Sequence, residues 1–593
     1  MKKSLLSLLS VCILAGCSQE ATKSAETIES NENVEQENAI ESVEDTNHSA
    51  DDKKEITEPI DPVTVDIPMW DFQEDKEYQL KMKVGPVIRE EGYGILPVKV
   101  DTEDNITSTF KRLFDIGVFT GEGISSEQGY DIRLIDAENM TVSHPAVLMQ
   151  EGYTTHAVQT FLGHGFGNDN ATFGVDQDPV TYFVAFDAPK TEEVHVLFSQ
   201  VGMVQSVPVV DREDSGMAFY DDKQDEVAEN VVPSVDNILE RELLNEQYDL
   251  LEGHYESLQK RVEPIESYKE NLETSLSRID EIEYSTLILS SDVLFDFDSS
   301  DLSEEADTEL QAAIDELESV EGGKLEIVGH TDRENTEAYN QTLSEKRANA
   351  VKERLASLTD LSKYDEVTTE GKSFNEPIAD NESEEGRAQN RRVALQFTPP
   401  KEEIVIESTE ERLPDPEGQV SRFPDSVKTS FGNVEMIELK QVDDLTVGRF
   451  KVFKTEETKL KYDALAHVAG VGARGWSSDD SIGYNQFSAY APTMISNGQR
   501  YYPLDYYLTP LTGNYIDEKV EKAPEDKKFI VPLAERNMPQ GTSTNGAYFY
   551  ATVVWPTTNE EEVTIDLADT GVYQSSTERT EPWRITNVPI IKE

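Results

Sequence analysis

Two side chains of opposite charge stand out by type and spacing. Asp332 closes the run Lys324-Leu325-Glu326-Ile327-Val328, which reads as a strand, and Arg347 lies fifteen residues on, inside the next helical pattern. A strand-loop-helix unit brings such residues to one rim of a sheet. Held apart there, they suit a zwitterionic amino-acid head, Arg taking its carboxylate bidentately and Asp its ammonium. In contact, they would pair with each other and brace the fold. Their types and spacing leave both arrangements open.

Other chemistry finds little support. Cys12 and Cys17 are the only cysteines, which excludes a disulfide scaffold and a Cys-based zinc or iron–sulfur site. The eight histidines are scattered, with no His-Glu-x-x-His pair, and His330 reads as structural. Asp169, Asp176 and Asp178 follow a Gly-rich run but match no EF-hand spacing. Tyr501-Tyr502 and Tyr506-Tyr507 fit β packing better than a sugar-stacking face. With no nucleophile elbow or P-loop, the expectation is a protein that is not an enzyme, without catalytic residues, metal or cofactor.

The elements around Asp332 and Arg347 form an α/β pattern. Leu287-Ile288-Leu289 and Val293 to Asp298 read as a buried first strand or strand pair. Ser303 is a candidate N-cap for a helix carrying Leu310, Ile314 and Leu317. A second helix is expected from about Thr336 to Ala356, with Leu343, Ala350, Val351 and Leu355 inward. Asp365–Thr369 and Arg392–Phe397 supply further strands, giving a βαβαβ-type α/β sandwich.

Four motifs in order give this segment a family likeness. They are Phe295-Asp296-Phe297-Asp298-Ser299, Gly329-His330-Thr331-Asp332, Tyr339-Asn340 with Leu343-Ser344-Glu345-Lys346-Arg347-Ala348, and Gly386 to Val393 with Asn390-Arg391-Arg392. Together they resemble the OmpA-like peptidoglycan-binding domain of outer-membrane anchors, peptidoglycan-associated lipoproteins and flagellar stator proteins. The resemblance implies binding of meso-diaminopimelate, with Asp332 on its ammonium and Arg347 on its carboxylate. It also implies pocket roles for Asn340 and Arg391, and weaker ones for Thr331 and Asp298. Arg333-Glu334-Asn335 departs from relatives that place Gly near this turn, which bears on affinity.

The N-terminus points outside the cytoplasm. Lys2-Lys3, the apolar run Leu5–Leu14 and Leu14-Ala15-Gly16-Cys17 resemble a bacterial lipoprotein signal, implying cleavage after residue 16 and acylation of Cys17. Multiple acyl chains, palmitate among them, anchor stably to a bilayer. The expected place is extracytoplasmic and membrane-anchored, in the outer membrane if the cell has two. Residues 17–66 then form an acidic stalk, with 15 Asp/Glu, 3 Lys and no aromatic residue after Cys17.

The remaining texture suggests a multidomain chain. Residues 67–214 and 426–593 read as immunoglobulin-like all-β sandwiches flanking the α/β domain at 287–398, with linkers at 215–236 and 399–425. Residues 237–283 carry Leu244, Tyr248, Leu251, Tyr255, Leu258, Val262 and Ile265 at helical spacing, continued by Leu272, Leu276, Ile279 and Ile282, although Pro264 interrupts them. That segment reads as a coiled coil available for self-association, or as a helix lying on a neighbour. The β regions share a pattern: Tyr182-Phe183-Val184-Ala185 recurs as Tyr548-Phe549-Tyr550-Ala551, Glu193-Val194 as Glu562-Val563, and Leu96–Val100 as Arg449–Phe453. Internal duplication and chance matching of β-prone segments both account for this.

Charge bounds the partners. The chain of 593 residues carries 118 Asp+Glu against 52 Lys+Arg, a net charge of −66, which argues against nucleic acid. Residues 287–398 are themselves acidic, so attraction to an anionic wall must be local, within a Debye length of about 8 Å. The function expected is a peptidoglycan-binding membrane-to-wall tether. The alternatives are an adhesion or ligand-recognition lipoprotein working through its β regions, and a wall-processing enzyme.

Overall fold

The structure, a computed structural model, describes most of residues 60–102, 132–148, 180–220, 258–398, 413–461, 488–508, 529–568 and 581–592. Short pieces at 160–164, 231–233 and 464–466 complete it. Cys17, the stalk as far as residue 59, Asp169, Asp176, Asp178, heptad residues 237–257 and parts of both linkers lie outside the described residues. The described chain is mostly β, with few helices.

Alternating burial builds the first β region. Its strands include β1 (Tyr93–Thr102), β2 (Ile132–Asp136), β3 (Thr141–Leu148), β4 (Val180–Asp187), β5 (Glu193–Phe198) and β6 (Gly202–Asp211). They pair antiparallel as β1–β4, β5–β6, β2–β5 and β2–β3. Leu96, Val98 and Val100 of β1 all face the core, as a period of two requires.

The heptad expectation fails where the chain is described. Leu258–Asn271 is a 14-residue strand, β7, followed by β8 (Ser277–Asp280). A helix through Pro264 would lose a hydrogen bond and clash, at about 3 kcal/mol. Extended, the segment finds partners on every side: Leu258 faces Leu148 of β3, Ile265 faces Tyr506, Lys269 faces Tyr501 and Tyr268 faces Ile279 of β8. Val262 and Ile282 stay exposed, while Leu276 enters the α/β core, so these residues form no seam for a second helix.

The α/β domain follows the expected order. It comprises β9 (Ser285–Ser290), α1 (Ala306–Leu317), β10 (Lys324–Gly329), α2 (Glu337–Leu358), β11 (Glu366–Gly371), α3 (Glu384–Asn390) and β12 (Arg392–Phe397). The sheet runs β11-β10-β12-β9, with β10–β11 parallel and the other pairs antiparallel, then continues through β8 into β7. Ser303 Oγ accepts from the Ala306 amide at 3.1 Å, but the cap position of α1 is Glu305, two residues beyond the Ser303 expected there. Val293–Asp298 is not a strand: a short helix at Ser291–Leu294, capped by Ser290, leads into a loop.

Helix α2 carries two kinds of residue on one stripe. Asn340, Ser344 and Arg347 are buried toward its start, and Ala348, Val351 and Leu355 toward its end. Leu343 and Ala350, expected inward, are only half-buried. The helix sits directly on the sheet where Gly329 faces Gly371 across β10 and β11. A Cβ on Gly329 would lie 2.2 Å from the Ser344 carbonyl oxygen, and one on Gly371 would lie 2.5 Å from the Glu345 nitrogen. Both are backbone contacts that cannot yield cheaply.

The second β region shares several strand pairings with the first. Its strands include β13 (Leu445–Phe453), β14 (Thr493–Ser496), β15 (Gln499–Tyr501), β16 (Asp505–Leu508), β17 (Tyr548–Pro556), β18 (Glu562–Leu567) and β19 (Trp583–Pro589). Glu193 faces Pro208 and Val194 faces Val207, as Glu562 faces Pro589 and Val563 faces Val588. Each register is interrupted at the next residues, between Val194 and Val196 and between Val563 and Ile565. The third strand of each set joins alike, Leu134 facing Val196 and Met494 facing Ile565. The match of Leu96–Val100 to Arg449–Phe453 slips by two, since Tyr182 faces Val98 but Tyr548 faces Phe453. The regions, expected as separate modules, share an apolar cluster including Ile135, Leu197, Ile265, Leu445, Tyr506 and Val554.

Gly329→Ala should therefore cost roughly 1–3 kcal/mol by forcing α2 off the sheet. A denaturant melt of the purified protein checks this; an unchanged midpoint would contradict the close approach.

Candidate functional site

The site gathers where β10 ends, α2 begins and α3 turns into β12. The segment after Gly329 is pinned by backbone bonds, His330 N–H to the Arg392 carbonyl and Thr331 N–H to the Ser373 carbonyl, each at 2.9 Å. Asp332 follows, nearly buried. Its Oδ1 accepts from the Glu334 amide at 3.0 Å and its Oδ2 from Arg391 Nη1 at 2.7 Å. Asn335 turns the chain at φ 72°, a left-handed conformation Asn tolerates without the Gly usual here.

Arg347 does not pair with Asp332. The Arg347 residue is 5% exposed, its Nε donates to the Ser299 carbonyl at 2.9 Å, and its guanidinium lies 5.1 Å from the Phe295 ring centre. Among the described residues its two terminal nitrogens have no hydrogen-bond partner and no carboxylate within ion-pair distance. Burial lowers its pKa, opposed by the negative fields of Asp292 and Asp298. Arg remains charged regardless.

Arg391 is instead the hub of an acidic cradle. It bonds both oxygens of Asp292 at 2.8 Å, Asp332 at 2.7 Å and Glu384 at 2.8 Å. Its pKa rises, chiefly through the Asp292 bonds and against burial. A cation so committed holds Asp332 in place. Asn340 is likewise a brace: its amide donates to the Glu334 carbonyl at 2.6 Å and the Asp332 carbonyl at 3.4 Å.

Thr331 and Asp298 stand on opposite sides of the question. The Thr331 hydroxyl is buried without a hydrogen-bond partner among the described residues. Asp298, at φ 55°, accepts from the Tyr339 hydroxyl at 2.7 Å, leaving Phe297 beside it fully exposed. The structure thus brings Asp332, Arg391 and Asn340 into one bonded set, and links Arg347 with Asp298 through the loop at Ser299. Arg392, deeply buried, is tied to the Glu376 carbonyl at 3.0 Å, and burial pulls its pKa down to about 10.

Chemically, Arg347 offers two donor nitrogens in a fixed fork to a carboxylate. Asp332 keeps acceptor capacity for an ammonium beyond its present bonds, since a carboxylate has about four lone-pair sites. Among the described residues no group of three or more His, Cys, Asp or Glu could hold a metal. None of their helices is long and apolar enough to cross a membrane.

Comparison with known proteins gives relatives for the segment that carries these residues. Residues 294–391 match the OmpA family. The chain is 36% identical over 115 residues to the putative lipoprotein YfiB of Escherichia coli, covering 19% of this chain and 71% of that one. It is 39% identical over 111 residues to outer membrane protein A of Bordetella avium, covering 19% of this chain and 56% of the relative. The chain belongs to the OmpA family. Among solved structures, the peptidoglycan-associated lipoprotein of Burkholderia pseudomallei aligns at 31% identity over 18% of this chain and 88% of that one, with a TM-score of 0.16. The chain spans only 29% of outer membrane porin F of Pseudomonas aeruginosa, to which it is 40% identical over 102 residues.

Within this OmpA-family domain, sequence reasoning missed Asp292 and Glu384, the other carboxylates on Arg391. Nothing in type or spacing separates them from the chain's other acids, 118 in all. It also passed over Tyr339, whose place beside Asn340 in a motif was the available signal.

His330 yields a pH test. Burial, reinforced by Arg392 and Lys372, pushes its imidazole from the usual 6.5 down to about 3. The unfolded chain takes up the proton near 6.5 and the folded one only near 3. Stability is therefore intact above 6.5 and drains as pH falls toward 3, at up to about 1.4 kcal/mol per unit. Urea midpoints of His330→Gln should fall less steeply than wild type between pH 7 and pH 4.5; equal slopes would contradict a neutral buried imidazole.

Proposed function

We propose that this OmpA-family domain binds peptidoglycan by gripping the free head of meso-diaminopimelate, Arg347 on the carboxylate and Asp332 on the ammonium. The observation that carries this reading is Arg347, buried yet without a carboxylate partner among the described residues. Burying a guanidinium without a counter-ion costs free energy, and a ligand carboxylate would recover it. Arg391 supports the reading from the other side, because it fixes Asp332 without joining it to Arg347.

The membrane half of the proposal rests on sequence. Leu14-Ala15-Gly16-Cys17 would supply an acylated N-terminus, and the Escherichia coli relative is itself named a putative lipoprotein. Lipid at one end and wall at the other make the chain a tether in the cell envelope, with no catalytic step.

Purified protein should sediment with diaminopimelate-type sacculi. Asp332→Ala and Arg347→Ala should each weaken that by about 10- to 100-fold, the worth of a charged hydrogen-bonded contact. Arg347→Lys should also fall short, since an ammonium lacks the planar fork. Undiminished sedimentation of both alanine variants would overturn the mechanism, and release of soluble muropeptides would favour an enzyme.

A further inference from the structure

A second concave site lies away from Asp332 and Arg347. It is a groove of about 890 Å³ between α1, the turn joining β7 to β8, and the second β region at β15 and residues 557–559. Small-molecule sites span roughly 300–1,000 Å³, so this one has room for more than a single sugar-sized unit. It shares no lining residue with the Asp332 site.

Its lining selects a ligand chemistry. Ten of its nineteen residues carry amide or non-phenolic hydroxyl side chains, and Ala312 is its one aliphatic contribution. An apolar ligand would therefore strand hydrogen-bonding groups. The cations in the wall are already committed: Arg278 bonds Glu316 at 2.8 Å and Asp280 at 2.7 Å, and Lys269 lies 3.7 Å from Glu316. Asp307 is paired with Arg354, and Asp315 accepts from Gln311 at 2.8 Å. An anionic ligand would meet these acids with no spare cation among Arg278 and Lys269.

Two polar atoms behind the wall have no hydrogen bond among the described residues. Gln499 Nε2 donates to Glu316 at 2.6 Å, but Gln499 Oε1 is buried without a hydrogen bond, and so is the Thr557 hydroxyl. Buried polar atoms of this kind are normally satisfied. Both atoms lie beneath the groove surface, whereas the half-buried Tyr501 ring lies in the wall itself and offers a face on which a sugar ring can stack.

We propose that this groove binds an uncharged oligosaccharide. The inference stands on the lining alone and does not require the wall-binding reading. Calorimetric titration of the purified protein with chitotetraose and with cellotetraose tests it. At least one should bind, Tyr501→Ala should weaken it at least tenfold, and Asp332→Ala should leave it unchanged. Gln311→Trp, made at an exposed position of α1, should block the groove without disturbing the core; circular dichroism verifies the fold of each variant. No binding of either sugar at millimolar concentration, or undiminished binding to folded Gln311→Trp, would overturn the proposal. Binding of tetralysine in their place would overturn the ligand class.

Discussion

The site depends on keeping one carboxylate and one guanidinium apart. In an acidic domain, a buried Arg would ordinarily find an acid, and an acid beside it would ordinarily take the Arg. Here Arg391 occupies Asp332 and is itself saturated by Asp292 and Glu384. Arg347 is meanwhile steadied by the Ser299 carbonyl and the face of Phe295, contacts that orient a cation without neutralising it. The separation is built from backbone: the pinned strand end, the Asn340 brace and the contact of α2 with Gly329 and Gly371. Such support is what preorganisation of a polar site requires.

Among the described residues, one strand carries sheet pairing from the same domain into both β regions. Leu258–Asn271 pairs with the first β region along its opening half, with Asp505 and Tyr506 at its centre, and with both β8 and β15 at its end. Sheet hydrogen bonding therefore runs from the α/β domain into the second β region without a break. A ligand held by Arg347 would load this ladder, along with the Arg278–Glu316 and Gln499–Glu316 contacts beside it.

Much of the α/β domain was legible because its signals are local. The helix starts near Ser303 and Thr336, the inward stripe on α2 and the apolar strands each show within a few residues of sequence. Asp332 and Arg347 were legible by charge, spacing and motif. Whether they pair was not, because the answer lies with Arg391, a residue whose own partners are distant in sequence and common in type. The strand at 258–271 was misread for a related reason. Spacings of three and four are weak evidence beside Pro264, and the partners that hold the segment extended are residues 141–148 and 499–506. The duplication was visible as short matches, and the repeated pairing of Glu193 with Pro208 and Glu562 with Pro589 supports it, while the slip of Leu96–Val100 against Arg449–Phe453 does not.

The most direct test of the separated-charge account uses the ligand rather than the protein. Calorimetric titration should compare a muropeptide whose diaminopimelate head is free with one whose head carboxylate is amidated. The account predicts that amidation weakens binding to wild type at least tenfold and makes little further difference to Arg347→Ala. Equal affinity of wild type for the two muropeptides would contradict it.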